Sequence, residues 1–167
     1  MKNSLLFLYI ILFSCINHVY SQGQATANFT GSATIIQPIG ITTTSNLNFA
    51  SLDTRTGGDV ILTPDNTRIS SGGVELKDIL NLSAATFEIT GEQDFAFSIS
   101  LSKNEYELTN GSHNMIIKNF TSSLAENNRL STGKRVLRVG ATLNVNPGQA
   151  PGLYNSMGEM AVTVNYN

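Results

Sequence analysis

Across residues 25–36 (ATANFTGSATII), Ala25, Ala27, Phe29, Gly31, Ala33 and Ile35 fall at every second position, with Thr26, Asn28, Thr30, Ser32 and Thr34 between them. A period of two is that of a strand with one face buried, so this run is predicted to be a strand. The same alternation returns along the chain. Ile39 with Ile41 and Leu47 with Phe49 supply short pieces on either side of TTTSN, and Pro38 belongs at a strand edge or bend. Phe87 and Ile89, then Phe95, Phe97, Ile99 and Leu101 beyond a turn at residues 91–94, predict a hairpin with one apolar face. Full burial of each such side chain contributes about 1.5–3 kcal/mol, so this row reads as core rather than as a ligand platform. Tyr106 and Leu108 precede an Asn110-Gly111 turn, a strong hairpin signal, and residues 115–120 follow as its partner. The longest alternation places Leu137, Val139, Ala141, Leu143 and Val145 on one face, with Arg138, Gly140, Thr142 and Asn144 on the other. A last strand carries Met160, Val162, Val164 and Tyr166.

Turn residues punctuate these runs: Gly57-Gly58, Pro64-Asp65-Asn66, Gly72-Gly73 and the NPGQAPG of residues 146–152. VELKDILNL fits helix and strand equally, and residues 121–133 read as a loop. Short strands with half-buried alternation and frequent turns predict an all-β fold, an antiparallel β-sandwich of immunoglobulin-like type. A membrane β-barrel is disfavoured by the few aromatic residues, the uneven strands and the terminal Asn167.

Residues 1–21 (MKNSLLFLYIILFSCINHVYS) set Lys2 ahead of an apolar run over 5–16, with Val19 and Ser21 where signal peptidase takes aliphatic and small residues. Cleavage is expected after Ser21, leaving residues 22–167 as a single exported domain in the periplasm, at the cell surface or outside the cell. The one cysteine, Cys15, lies in this leader. Its LFSC context loosely resembles a lipoprotein box, so lipidation at Cys15 is the alternative to ordinary cleavage. No later run is long enough for a membrane-spanning helix. Beyond the leader there are nine basic and twelve acidic side chains, a formal charge of −3. The basic residues are scattered apart from Lys134, Arg135 and Arg138, which argues against nucleic acid as a partner.

Candidate chemistry is sparse. Ordinary cleavage would remove disulfides, thiol catalysis and cysteine metal sites together. His113 is the one remaining histidine, two residues past the Asn110-Gly111 turn, and no Gly-x-Ser-x-Gly elbow accompanies it. Asp53 to Asp59 lacks the alternating oxygen ligands of a calcium loop. Glu105 and Glu107 share a strand face beside a turn, where exposed charge is solubilising. No catalytic residue, cofactor or metal is expected, and the chain is read as a non-enzyme.

ATIIQPIGITTTSNLNFASL, AATFEITGEQDFAFSISL, RVGATLNVNPGQAPGLY and the terminal VTVNYN, in that order and spacing, resemble the secreted family called domain of unknown function 4402. That family in turn is similar to the spore coat protein U and fimbrial-subunit group. The resemblance implies an immunoglobulin-like sandwich exported by gram-negative bacteria, a subunit of a surface fibre. Two readings of the terminal strands stand side by side. In one they are edge strands of a self-sufficient domain, a monomeric secreted module binding carbohydrate or protein. In the other, Ala25, Ala27, Phe29, Gly31, Ala33 and Ile35 form a strand handed to the next subunit, as in pilin donor-strand complementation. Met160, Val162, Val164 and Tyr166 are then the terminal assembly strand. Its partners would be copies of itself and a periplasmic assembly chaperone, which would cover an otherwise aggregation-prone groove.

Overall fold

The computed structural model describes residues 23–124 and 128–167. The leader, with Lys2, Cys15 and the expected cleavage after Ser21, lies outside the described residues. The chain divides into one unit ending at Thr34 and a second spanning Ile35–Asn167. In the first, residues 23–34 form no strand and are all exposed, and Ile35 and Ile36 are exposed as well. The strand expected over residues 25–36 therefore has no ladder among the described residues. Its period of two marks the face that pairing would bury, but alternation alone provides no neighbour to pair with.

Among the described residues, the second unit carries thirteen strands: β1 (Gly40–Ser45), β2 (Leu52–Thr54), β3 (Gly58–Leu62), β4 (Arg68–Ser70), β5 (Val74–Leu76), β6 (Ala85–Thr90), β7 (Ala96–Leu101), β8 (Glu105–Thr109), β9 (Asn114–Ser122), β10 (Asn128–Arg129), β11 (Lys134–Val145), β12 (Asn155–Ser156) and β13 (Val162–Tyr166). No helix occurs among these residues, and every ladder is antiparallel. The protein is all-β.

The longest alternating run became the longest strand. β11 pairs through Lys134–Val139 with β6 and through Ala141–Val145 with β3. Its opposite edge takes β9, so β6 and β3 share one edge end to end. Gly140 stands at the changeover, where an added Cβ would strike the Leu62 carbonyl and the Thr63–Pro64 peptide. β1 extends this large sheet beyond β6, while β8 and β12 extend it beyond β9. The Asn110-Gly111 turn joins β8 to β9 as a hairpin, as the sequence predicts.

The second predicted hairpin does not form. β6 pairs with β1 and β11, whereas β7 pairs with β13 and β10 in a separate three-stranded sheet. Of the predicted row, Phe87, Ile89 and Phe97 join Leu137, Val139 and Val164 in one core cluster, Ile99 packs against it, and Leu101 is half-buried, whereas Phe95 lies before β7 and is exposed. The Gly91–Asp94 turn thus carries the chain from one sheet to the other, and the apolar faces meet across the core instead of side by side. VELKDILNL resolves into β5 followed by a turn, with β5 pairing β2. A second cluster, with Phe49, Val60, Leu62, Ile117, Leu143 and Val145, fills the other end of the large sheet.

Candidate functional site

The last strand is half of a ladder. Val162 pairs with Leu101, Val164 with Ile99 and Tyr166 with Phe97, while the other edge of β13 carries no ladder among the described residues. Ser102 N donates to Ala161 O at 3.2 Å and Asn167 N to Ala96 O at 3.1 Å, so the odd-numbered residues point their backbone groups at β7. By strand alternation the N–H and C=O groups of Val162, Val164 and Tyr166 face the unpaired edge. Of the four side chains predicted here, Val164 is buried and Val162 and Tyr166 are half-buried. Met160 lies outside the strand, half-buried against the Phe49 cluster; β13 begins two residues later.

At the Val162 end of β13 lies a cleft of about 1310 Å³. Thr43 and Ser45 of β1 and Val162 of β13 contribute to its lining, with apolar side chains such as Leu47, Leu101 and Phe120. These three apolar groups are only half-buried. Leu80 and Leu153, also in the lining, are 73% and 79% exposed. The opposite end of β13 is closed by a hydrogen-bonded knot. The Tyr166 hydroxyl donates to Gln37 O at 2.8 Å and accepts from Glu92 N at 2.6 Å. Gln37 N in turn donates to Glu92 Oε2 at 2.7 Å. Gly91 permits this approach, since a Cβ there would collide with the Tyr166 hydroxyl. The Tyr166 ring also packs edge-on against Phe95 at 5.5 Å.

Charges at the cleft are Asp53, Lys77 and Glu159. Lys77 bridges Glu75 at 2.9 Å and Asp53 at 3.3 Å, and Arg55 reaches Glu75 at 3.2 Å. The hydrogen bond that Lys77 donates to Glu75, then the one it donates to Asp53, raises its pKa and holds its amine charged. Asp59 instead accepts from Asn144 at 2.6 Å, so Asp53 and Asp59 are committed to different partners. His113, Glu105 and Glu107 are exposed. Among the described residues no three His, Cys, Asp or Glu side chains gather as a metal group.

Residues 25–36 contribute the other half of the picture. Phe29 is 95% and Ile35 98% exposed, and a Cβ on Gly31 would meet nothing within 4 Å. Ala25, Ala27 and Ala33 are exposed too. None of these residues is charged. Sequence reasoning missed Arg68, whose guanidinium donates to the carbonyls of Phe49, Ser51, Lys77 and Asp78 at 2.6–3.3 Å and so ties β4 to the segments just before β2 and just after β5. A single Arg in a three-residue strand gives no such signal.

These features define an all-β protein of antiparallel sheets, with one edge of its last strand carrying no ladder among the described residues. The chain belongs to the family described as Domain of unknown function (DUF4402), whose model matches residues 39–166. The matched stretch begins after the exposed run of residues 25–36. No curated protein matches the chain.

Proposed function

We propose that the protein is an exported, non-enzymatic structural subunit of a pilin-like or other cell-surface fibre, built on an immunoglobulin-like sandwich and assembling by β-strand addition. The observation that carries this reading is the exposure of Phe29 and Ile35 on an uncharged, alternating segment without a ladder. Apolar side chains of this size gain about 1.5–3 kcal/mol each on full burial, and a neighbouring subunit provides that burial. Export past the inner membrane and escort by a periplasmic chaperone follow from the same reading, because an unpaired edge aggregates unless covered.

The competing reading is a monomeric secreted module that takes a carbohydrate or protein ligand in the cleft. At about 1310 Å³ the cleft exceeds the roughly 300–1,000 Å³ typical of small-molecule sites, which favours a strand over a small carbohydrate as its occupant. The test is to run the chain from Gln22 to Asn167 unboiled on a denaturing gel, beside a version starting at Ser32. A resistant ladder from the longer chain, lost in the shorter one, is the expected result. A reversible monomer from both sinks the fibre reading and favours the binding module.

A further inference from the structure

Resting on the strand-addition reading, we infer that the cleft beside β13 is the acceptor, and that its occupant is the run of residues 25–36 from a second copy of this chain, added antiparallel to β13. Several edges are open to a strand in principle. β4 pairs only with β3, for example, and Ile69 on it is 53% exposed. An acceptor also needs an uncovered apolar face beside the edge, so that one side of the incoming strand is buried while its backbone is paired. β4 contributes nothing to the cleft, whereas β13 borders it through Val162, with Leu101 of the adjacent β7.

Shape and charge fit this occupant. Twelve residues in extended form span about 40 Å, more than enough to follow the edge from Tyr166 past Val162. The inward face would present Phe29 and Ile35 among Ala25, Ala27, Gly31 and Ala33, a large-and-small sequence suited to an irregular apolar cleft. The segment brings no charge to a lining whose charges are Asp53, Lys77 and Glu159.

Connectivity decides whose segment it is. Gln37 is fastened to the Tyr166 end of β13 through the Tyr166 hydroxyl. A chain's own residues 25–36, doubling back from that anchor along β13, would run parallel to it. Antiparallel pairing would require Ile36 to sit at the Val162 end, a strand's length of about 17 Å from Gln37. One peptide link cannot bridge that gap. Antiparallel addition of the whole run, the slightly stronger pairing, is therefore open only to a second copy.

The test uses the full-length chain expressed through its own export route, with Cys15→Ser so that no other thiol is present. Thr163→Cys, on the exposed face of β13, is combined in turn with Asn28→Cys, Thr30→Cys or Ser32→Cys on the outward face of the segment; all four positions are exposed. At least one pair is expected to give a reducible ladder of linked chains, and mixing the two single-cysteine proteins of that pair should give linked dimers. Adding Gly31→Val, harmless to the isolated chain because its surroundings are open, should abolish the link. Linkage confined to a single chain overturns the inference in favour of the chain's own segment. Linkage to Ile69→Cys in place of Thr163→Cys overturns the acceptor while leaving strand addition standing. Absence of any ladder, linked or unlinked, overturns both.

Discussion

Tyr166 does more than end a strand. Its hydroxyl joins Gln37, 129 positions away, to the Glu92 amide, 74 positions away, and the pair of bonds closes one end of the edge proposed to accept a strand. Removing the hydroxyl with Tyr166→Phe leaves the Gln37 carbonyl and the Glu92 N–H without that partner. The exposed Gln37 carbonyl can turn to water, whereas leaving the part-buried Glu92 N–H unpaired costs up to about 1–3 kcal/mol. A downward shift of the urea midpoint with unchanged slope is expected, and an unchanged midpoint would show that water replaces both bonds. Alternation correctly marks Tyr166 as inward-facing, but a hydroxyl's partners across such separations leave no local pattern. Gly91 is similar: it reads as a turn residue, and only the fold reveals that it makes room for Tyr166. By contrast, the exposed placement of His113 was legible because a residue two positions past an Asn-Gly turn has no face to bury.

At the scale of elements, the short β2–β5 ladder sets Asp53 directly opposite Glu75, a like-charge pairing that destabilises on its own. Arg55 and Lys77 offset it. The Glu75 pKa is lowered, first by its hydrogen bond from Lys77 and then by the charge of Arg55. A depressed carboxylate contributes fully above its ordinary value of 4.5 and loses that contribution as pH falls through the lower folded value. Lys77 acts in the opposite sense: its contribution is complete below 10.5 and is lost as pH rises through its raised folded value. All four side chains are well exposed, so salt screens the network and its effect on stability is small. The sharper readout is an NMR titration. Glu75 should titrate below 4.5, and Lys77→Met should move its midpoint upward; an unmoved midpoint contradicts the assignment.

Elements also divide cleanly into legible and illegible. β11 was plain in the sequence, since five alternate apolar residues need one face and no turn residue interrupts them. The β8–β9 hairpin was equally plain from Asn110-Gly111. The β6–β7 connection misled because a four-residue turn between two apolar alternations looks the same whether the strands pair or pass to opposite sheets. What separates the cases is the neighbours, β11 and β13, that lie far along the chain. The run of residues 25–36 carried a strand's pattern and, among the described residues, no strand's partner, so its pattern marked a face without a ladder.

At the scale of the whole molecule, the proposed strand addition joins an exposed uncharged segment of one copy to an edge of another that carries no ladder among the described residues. The fold class was legible because half-buried alternation and turn spacing are local. The cleft was not, because β1, β7, β9 and β13 converge on it from across the sequence. The most direct measurement is the mass of the exported protein by light scattering on a sizing column, for the natural chain and for Phe29→Asp. Phe29 is 95% exposed, so the change leaves the folded unit intact and its thermal midpoint as a monomer unaltered. The account predicts multimers from the natural chain and monomers from Phe29→Asp. The same mass distribution from both proteins would contradict it.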